Sequence, residues 1–179
     1  MLKGKTVVLG VTGCIAAYKA CEIVSSLKKK GATVIVIMTP HSTEFVQPLS
    51  FETLSGNRVI TDLFDRDFDF EVEHVALAKR ADVFVVAPAT ANTIGKIANG
   101  IADDMLTTTI MACKAPKIIC PAMNTNMYEN ENTTENIARL KKQGYKIIEP
   151  ISGRLACGDV GKGKMAEPET IVKAIEDIL

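Results

Sequence analysis

The sequence lacks tryptophan, has only two histidines among its 179 residues and carries no excess of charge of either sign. Lys plus Arg and Asp plus Glu each total 21, which argues against a nucleic-acid partner because phosphate backbones require a concentrated basic face. Without tryptophan the chain has no strong platform for base stacking, and two histidines do not favour a histidine-rich metal centre. We therefore expect neither nucleic acid nor a metal ion as a ligand.

The five cysteines are scattered along the chain, and none forms a CxxC pair; they are Cys14, Cys21, Cys113, Cys120 and Cys157. Their odd number and spacing favour free thiols in a reducing cytoplasm over a disulfide framework or a zinc site. No apolar run approaches the roughly 20 residues of a membrane span, and the N-terminus leads into a predicted strand without a signal segment. We expect a cytoplasmic protein that does not bind a membrane.

Apolar, β-branched runs alternate with helical patterns along the whole chain, which is typical of a parallel sheet covered on both faces. The predicted strands are 6–11, 33–38, 57–61, 83–87, 117–120 and 146–148. The predicted helices are 15–30, 42–54 (interrupted by Pro48), 91–99, 104–113, 133–143 and 169–179. The pattern predicts one α/β domain over residues 1–179, with a three-layer, Rossmann-like or flavodoxin-like fold and a parallel sheet of about six strands.

The segment 121–128, Pro-Ala-Met-Asn-Thr-Asn-Met-Tyr, follows a predicted buried strand. Ligands of open parallel sheets bind at the carboxyl ends of the strands. Pro121 would end the strand there, and the amide of Asn124 both donates and accepts hydrogen bonds. The alternative is an ordinary strand-to-helix turn, in which Asn124 or Asn126 caps a helix and the methionines fill space.

Small polar residues occupy the segments 10–16, 39–43 and 88–93, at the ends of three predicted strands. The first of these segments is a glycine turn, GxxGxxA, whose backbone N–H groups could approach a phosphate, and the others carry hydroxyl and amide side chains. Such groups suit a phosphate and a polyol, whereas the acidic residue expected for the ribose of NAD is missing. We therefore predict FMN, although a tight turn without a ligand and helix caps at Ser42 and Thr90 explain some of these residues.

The Gly-rich segment 152–167 predicts a mobile flap over a site. It contains a GxxxxGK match at 158–164, but Met165 stands where a P-loop requires Ser or Thr, which excludes a nucleotide triphosphatase of that class. Cys157 lies in this flap among polar and basic residues, so it is a candidate reactive thiol and acid. His74, with His41 as its competitor, is the candidate general base.

These motifs together resemble the phosphopantothenoylcysteine decarboxylases of the homo-oligomeric flavin-containing cysteine decarboxylase family. The resemblance runs essentially from end to end and is carried by 88–93, by His74, by Pro-x-Met-Asn-x-x-Met at 121–127 and by the flap cysteine in 153–158. Thr90 replaces the family's usual Ser, and Tyr128 replaces its usual Trp, for which we expect altered affinity at most.

The resemblance implies FMN-dependent decarboxylation of 4'-phosphopantothenoylcysteine to 4'-phosphopantetheine in coenzyme A biosynthesis. The substrate would be oxidised to a thioaldehyde, lose carbon dioxide to give an enethiolate and be reduced by the flavin. His74 would assist the oxidative decarboxylation, Asn124 would hold the substrate carboxylate and amide, and Cys157 would protonate the enethiol. The implied cofactor-binding residues are Thr12, Gly13, Cys14, Thr39, Ser42, Pro88, Ala89, Thr90, Asn92 and Thr107, and the implied substrate-binding residues are Ala122, Met123, Asn124, Met127 and Lys164.

The resemblance also implies trimers or dodecamers with sites between subunits, and a phosphopantothenate–cysteine ligase as a separate or fused partner. The sequence leaves open whether the chain is monofunctional or the first domain of a bifunctional enzyme. The alternatives are a peptidyl-cysteine decarboxylase, a flavin prenyltransferase, a flavodoxin-like electron carrier and a non-enzymatic regulatory subunit. None of these explains His74, Asn124 and Cys157 together.

Overall fold

The computed structural model describes residues 2–64 and 73–179. Seven strands lie in these ranges: β1 Thr6–Val11, β2 Thr33–Met38, β3 Val83–Ala89, β4 Lys117–Pro121, β5 Lys146–Ile147, β6 Ile151–Arg154 and β7 Val160–Lys164. The first five form a parallel sheet in the order β2-β1-β3-β4-β5, and β6 and β7 form a separate antiparallel hairpin. The predicted fold class is confirmed, with five strands in the central sheet where about six were predicted.

The helices of the described residues are α1 Ala17–Lys29, α2 Pro48–Ser55, α3 Glu73–Arg80, α4 Ala91–Ala98, α5 Met105–Ala112, α6 Thr125–Glu129, α7 Glu131–Lys142 and α8 Pro168–Glu176. A 3₁₀ helix covers Pro40–Glu44. None of them has the length and apolar character needed to cross a membrane.

The sheet is buried because successive side chains of each strand enter different apolar clusters on its two faces. Val7 and Leu9 of β1 belong to the cluster that also contains Ile23 of α1 and Ile175 of α8. Val8, between them, belongs to the cluster built around α4, α5 and α7. Every residue of β3 is buried, which explains why its sequence shows a continuous apolar run and no alternation.

Several local predictions differ from the structure, among them those at Pro48 and at 57–61. Pro48 does not interrupt a helix; it occupies the first turn of α2, where its missing N–H costs no hydrogen bond. The predicted strand at 57–61 makes only a single parallel bridge, between Ile60 and Ile37 of β2. This segment therefore touches the sheet edge without extending it, which accounts for the missing strand.

The strand order places the site. The chain turns from β1 to β2 on one side and reaches β3 on the other side of β1, so the connections diverge above β1 and β3. Such a switch point opens a crevice at the carboxyl ends of the strands. The segments that follow β1, β2, β3 and β4 all begin at this edge, which brings the polar segments noted in the sequence together.

Candidate functional site

A cavity of about 570 Å³, here called the Thr90 cavity, lies at this edge. It is lined by Gly13, Thr39, Pro40, His41, Thr90, Ala91, Asn92, Thr93, Lys96, Asp103, Asp104 and Met127. Its size falls within the range of about 300–1,000 Å³ that is usual for small-molecule sites. Of the residues predicted to bind the cofactor, it contains Gly13, Thr39, Thr90 and Asn92. His41, the competing general-base candidate, is also at its wall.

Thr12 holds the strand ends together beneath this cavity. Its buried hydroxyl donates a hydrogen bond of 2.7 Å to the Pro88 carbonyl and accepts one of 3.1 Å from the Thr90 N–H. Thr90 in turn caps α4, because its side-chain oxygen accepts a hydrogen bond from the Thr93 N–H. Thr12 therefore positions the loop that carries Thr90 rather than lining the cavity itself.

Gly13 allows the first loop to pass close to His41. A Cβ atom added at Gly13 would lie 2.7 Å from the Cβ of His41, closer than real side chains approach, so only glycine fits without a shift. This close approach brings the backbone of the glycine turn to the cavity wall. Hydroxyls, an amide and backbone N–H groups at helix starts are the donors that a phosphate and a polyol require, so the cavity fits a flavin mononucleotide.

Four further predicted cofactor residues lie beside this cavity without lining it. The Ser42 hydroxyl is buried and donates to the Thr39 carbonyl at 2.7 Å, and Pro88 and Ala89 are buried in β3. Thr107 forms a capping box with Asp104 at the start of α5, so its hydroxyl is already bonded. None of the four is among the lining residues, so they stay predictions as cofactor contacts.

Lys96 gives the Thr90 cavity a cation whose charge is already balanced. Its ammonium lies 2.7 Å from the Asp103 carboxylate and 3.4 Å from that of Asp104. The hydrogen bond to Asp103 raises the pKa of Lys96 and lowers the pKa of Asp103. The site therefore relies on neutral donors more than on net positive charge, in keeping with the overall neutrality of the chain.

A second cavity, of about 360 Å³ and here called the flap cavity, lies on the other side of the first loop. Gly13 lines the Thr90 cavity and the next residue, Cys14, lines the flap cavity, so the two cavities adjoin. The flap cavity is lined by Cys14, Ile15, Ala16, Tyr18, Lys19, Ala122, Met123, Asn124, Arg154, Leu155, Ala156, Cys157, Gly163, Lys164 and Met165. It contains four of the five predicted substrate residues; the fifth, Met127, lines the Thr90 cavity instead.

Asn124 uses the two ends of its amide on different segments. Its Oδ1 atom accepts a 2.8 Å hydrogen bond from the Asn126 N–H, which makes it the N-cap of α6. Its Nδ2 atom faces the hairpin and lies 3.1 Å from Oδ2 of Asp159 and 3.4 Å from Sγ of Cys157. The capping interpretation is therefore confirmed. The functional interpretation stays a prediction, and it concerns a different atom, Nδ2.

Cys157 and Asp159 lie on the exposed turn between β6 and β7. The thiol of Cys157 donates to Oδ2 of Asp159 at 3.3 Å, and both side chains face Asn124. Cys14, also at this cavity, is partly buried, and burial raises the pKa of its thiol. Cys14 is thereby held in its protonated, less nucleophilic form.

The hairpin is seated on the segment that follows β4. The Met123 N–H donates to the Gly163 carbonyl at 3.0 Å, and a Cβ atom at Gly163 would lie only 2.2 Å from the Met123 carbonyl oxygen. A Cβ atom at Gly161 would lie 2.4 Å from Oγ1 of Thr125, so this glycine also passes close to its neighbour. The glycines predicted to make a mobile flap are thus the residues that let β7 lie against 123–125.

Three cationic side chains, Lys19, Arg154 and Lys164, line the flap cavity. The Lys19 ammonium, on a buried residue, lies 2.7 Å from the Glu167 carboxylate, and the Lys164 ammonium lies 3.2 Å from the same group. Hydrogen bonds from Lys19 and Lys164 lower the pKa of Glu167. With Arg154 on the hairpin, the cations that line the cavity outnumber this carboxylate, so the cavity favours an anionic ligand.

A further ionic cluster fixes the base of the hairpin. The Glu149 carboxylate receives hydrogen bonds from the Tyr128 hydroxyl, from Lys141 at 2.7 Å and from Lys162 of β7 at 3.2 Å. Burial would raise the pKa of Glu149, but the hydrogen bonds from Lys141, Tyr128 and Lys162 outweigh it and lower the pKa to about 2. Burial, followed by the contact with Glu149, raises the pKa of Tyr128.

His74 is not brought to either cavity. It is half-buried on α3, whereas the linings of the two cavities come from other segments. The structure instead adds residues that the sequence analysis did not select: Lys19, Asp159 and Glu149. The sequence Cys-Gly-Asp at 157–159 could have indicated that Asp159 lies beside Cys157. No local pattern indicated Lys19 or Glu149, because their partners, Glu167 and Tyr128, lie far away in the chain.

The chain is similar to known proteins over its whole length. A family model described as Flavoprotein matches residues 1–179. A curated relative from Bacillus subtilis (strain 168), the coenzyme A biosynthesis bifunctional protein CoaBC, is 52% identical over 98% of this chain and 43% of its own length. A probable phosphopantothenoylcysteine decarboxylase from Streptococcus mutans is 47% identical over 98% of this chain and 99% of its own length. The chain thus spans less than half of the bifunctional relative.

Two solved structures share the fold over nearly their whole length. A cysteine-to-serine mutant of a PPC decarboxylase, complexed with pantothenoylaminoethenethiol, superposes with a TM-score of 0.84 at 35% identity and covers 96% of each chain. The FMN-binding protein AtHal3 superposes with a TM-score of 0.81, also at 35% identity, covering 97% of this chain and 96% of its own.

Proposed function

The chain belongs to the flavoprotein family, and from this premise we propose that it catalyses the FMN-dependent decarboxylation of 4'-phosphopantothenoylcysteine to 4'-phosphopantetheine in coenzyme A biosynthesis. The observation that carries the proposal is the meeting of Asn124 and Cys157, 3.4 Å apart, in a cavity that adjoins the hydroxyl-lined Thr90 cavity. Relatives named for this activity, or for the pathway, support the choice of substrate.

FMN is the cofactor for which the Thr90 cavity is suited. Thr39, Thr90 and Asn92 would hold it with hydroxyl and amide groups, and Gly13 would let the backbone approach its phosphate. When bound, FMN supplies reversible two-electron oxidation and reduction of the carbon that carries the substrate sulfur. The protein contributes the binding, the orientation and the protons.

Substrate binding relies on charge. The amide nitrogen of Asn124 donates to the substrate carboxylate, and Lys19, Lys164 and Arg154 attract the phosphate. Met123 and Ala122 supply apolar surface beside the reacting group. Holding the carboxylate next to apolar side chains removes water from it, and a poorly solvated carboxylate loses carbon dioxide more easily.

Cys157 supplies the proton that completes the reaction. Its thiol lies at the mouth of the flap cavity on the hairpin and gives its proton to the enethiol left after decarboxylation. The solved relative with a cysteine-to-serine mutation is complexed with an enethiol, which supports such a role. A relative of this reaction that ends at the enethiol would not need the cysteine, so Cys157 favours the coenzyme A enzyme over peptidyl-cysteine decarboxylation.

We also infer that the site is completed in a homo-oligomer, with a trimer as the smallest unit and a dodecamer as the larger assembly. Ile15 and Tyr18 line the flap cavity and are each 54% exposed, an apolar edge suited to a second copy. His74, which lines neither cavity of its own chain, would then act as the base at a neighbouring subunit. The free thiols fit a reducing cytoplasm as the location.

A separate or fused phosphopantothenate–cysteine ligase is the partner expected to supply the substrate. The bifunctional relatives match this chain over less than half of their length, which supports such an arrangement.

The test is the absorbance spectrum of the purified protein before and after anaerobic addition of phosphopantothenoylcysteine, with the products identified by mass. We expect a flavin spectrum and 4'-phosphopantetheine, and we expect Cys157→Ser to release carbon dioxide while the enethiol accumulates. Cys21→Ser, a change at a thiol that lines neither cavity, is the matched control. A protein that FMN cannot turn yellow, or a flavoprotein that leaves the substrate unchanged, would contradict the proposal.

A further inference from the structure

We propose that Asp159 is a positioning residue that competes with the substrate carboxylate for the amide of Asn124 and returns to it when carbon dioxide has left, bringing Cys157 into place. The inference rests on the proposed function, because it concerns the order of events at the same site. In the structure, the Asp159 carboxylate already accepts a hydrogen bond from the Asn124 amide, the group assigned to the carboxylate of the substrate.

The contact involves the side chains of Asn124, Cys157 and Asp159, and it uses both N–H groups of the Asn124 amide. Oδ2 of Asp159 lies 3.1 Å from Nδ2 of Asn124 and 3.3 Å from Sγ of Cys157, and Nδ2 lies 3.4 Å from Sγ. An amide nitrogen has two N–H groups, and here they face Asp159 and Cys157. Oδ1 of Asn124 already caps α6. A ligand that needs an N–H of Asn124 must therefore displace the hairpin contact.

The substrate carboxylate is such a ligand. Two carboxylates that share one amide donor repel each other, so binding of the substrate excludes Asp159 from Asn124. The reverse also holds: while Asp159 is in place, it mimics the bound carboxylate and opposes entry of the substrate. Asp159 thus senses whether a carboxylate is present on the ligand.

Cys157 moves with Asp159 because the turn between them is closed. The Leu155 N–H donates to the Asp159 carbonyl at 2.8 Å, and the Gly158 N–H donates to the Leu155 carbonyl at 2.9 Å. Gly158 has a φ of +95°, a conformation that lets the chain reverse here. When Asp159 leaves Asn124, the thiol is withdrawn with it, and when Asp159 returns, the thiol returns to the place that the carboxylate has vacated.

The contact between β7 and Thr125 also favours opening of the hairpin. The Thr125 hydroxyl is buried beneath Gly161 and has no hydrogen-bond partner among residues 2–64 and 73–179. A buried polar atom without a hydrogen-bond partner is destabilising, and water would relieve this cost once β7 lifts. The cost therefore lowers the net penalty of displacing Asp159.

The first experiment uses protein without substrate. Iodoacetamide alkylation of Cys157 is followed by mass spectrometry of the tryptic peptide 155–162 in the wild type, in Asp159→Asn and in Asp177→Asn, the same change at an exposed end of α8. Because Oδ2 of Asp159 lies 3.3 Å from Sγ of Cys157 and holds it beside Asn124, we expect Asp159→Asn to free the thiol and to react severalfold faster. Equal rates would overturn the contact whatever the enzyme's activity.

The second experiment measures turnover of phosphopantothenoylcysteine. We expect Asp159→Asn to lower KM, because an internal competitor is lost, and to raise the ratio of enethiol to 4'-phosphopantetheine severalfold, because Cys157 returns less reliably. Asp159→Glu, which keeps the charge, should restore most of the wild-type ratio. An unchanged KM together with an unchanged ratio would overturn the role of Asp159.

The two experiments separate this inference from the proposed function. If the wild type releases no carbon dioxide, the proposed function fails and the ordering role fails with it, even where alkylation shows that Asp159 contacts Cys157. If carbon dioxide is released normally and Asp159→Asn matches the wild type in alkylation, KM and product ratio, only the role of Asp159 fails. Circular dichroism of each variant confirms that a change is not caused by misfolding.

Discussion

The ammonium of Lys162 lies over the ring of Tyr128, 5.3 Å from its centroid, and so joins the second strand of the hairpin to the helix that begins after Asn124. Glu149 binds both residues at once. The Tyr128 hydroxyl donates to this carboxylate. Tyr128 therefore has a defined partner here, and the base of the flap is held by charge while its tip is held by Asn124.

Glu149→Gln should loosen the hairpin without unfolding the domain. Lys162 and Lys141 would each lose an ionic partner, and exposed pairs of this kind are worth about 0.2–1 kcal/mol. We expect trypsin to cleave after Arg154 roughly two- to fivefold faster than in the wild type. Glu176→Gln breaks the ion pair with Lys30, which follows the last residue of α1, and is the matched control. Equal cleavage rates in Glu149→Gln and wild type would show that this cluster does not restrain the flap.

The contribution of Glu149 to stability should disappear only in strong acid. Its pKa in the folded protein is lowered to about 2 from an ordinary value of 4.5, so the stabilisation is complete above 4.5 and is lost as the pH falls through about 2. We expect a ¹³C NMR titration of the Glu149 carboxyl to have a midpoint near 2. The difference in unfolding free energy between the wild type and Glu149→Gln should shrink over the same pH range. A midpoint near 4.5 would mean that the three donors do not act together.

Gly163→Ala should dislodge the hairpin, because the added Cβ would meet the Met123 carbonyl oxygen at 2.2 Å. We expect a loss of about 1–3 kcal/mol in unfolding free energy, or a hairpin that detaches and is cleaved rapidly by trypsin. Gly153→Ala is the control on the partner strand, since its Cβ would only touch the end of the Lys164 side chain at 3.8 Å. If both variants behave alike, the backbone contact at Met123 does not seat β7.

Asn124→Asp should open the flap and abolish binding of the substrate. The new carboxylate would face Asp159, now 3.1 Å from the Asn124 nitrogen, and would also repel the carboxylate of the ligand. We expect KM to rise more than tenfold and Cys157 to become more accessible to alkylation. Because an aspartate also caps helices, α6 should stay intact, and its helical signal is the internal control. Normal kinetics would remove Asn124 from the binding site.

Mixing two inactive variants should restore activity if the site lies between subunits. His74→Asn and Cys157→Ser would each lack one group, and a mixed oligomer would hold sites with both groups intact. We expect 4'-phosphopantetheine formation to recover after the two proteins are co-expressed with different tags and purified by both. The matched control combines Asn124→Asp with Cys157→Ser, residues that meet within one chain and cannot complement. Failure of the first pair to recover would place His74 outside the neighbouring site.

The architecture was largely readable from the sequence, because the parallel sheet imposes continuous apolar strands. β1 and β2 were predicted with the bounds that the structure has, and Gly31, with a φ of +89°, ends α1 as expected from the lysines before it. The edge of the sheet was harder to predict. Residues 57–61 have the composition of a strand, but whether they pair along β2 depends on tertiary contacts that the local sequence does not show. Short elements such as α6 were also missed, since five residues give too little periodicity.

The candidate site was predicted in its residue types more than in its contacts. Asn124 and Cys157 were selected from motifs and do meet. Ser42 was selected for its hydroxyl and Thr107 was implied by the resemblance, and the structure uses these hydroxyls to bond a neighbouring backbone carbonyl and a carboxylate. Sequence patterns cannot distinguish a hydroxyl that faces a cavity from one that closes a turn, because both follow a strand. Pairings such as Lys19 with Glu167 arise between residues far apart in the chain, and no local pattern encodes them.

A single peptide bond separates Gly13, at the wall of one cavity, from Cys14, at the wall of the other. A ligand in one chamber that changes the conformation of this bond would also change the free energy of ligand binding in the other, and thermodynamic linkage would make the effect equal in both directions. We therefore expect the two chambers to act as one cooperative unit. Loading the cofactor should tune the affinity for the substrate, and a substrate analogue should tighten retention of the cofactor by the same factor.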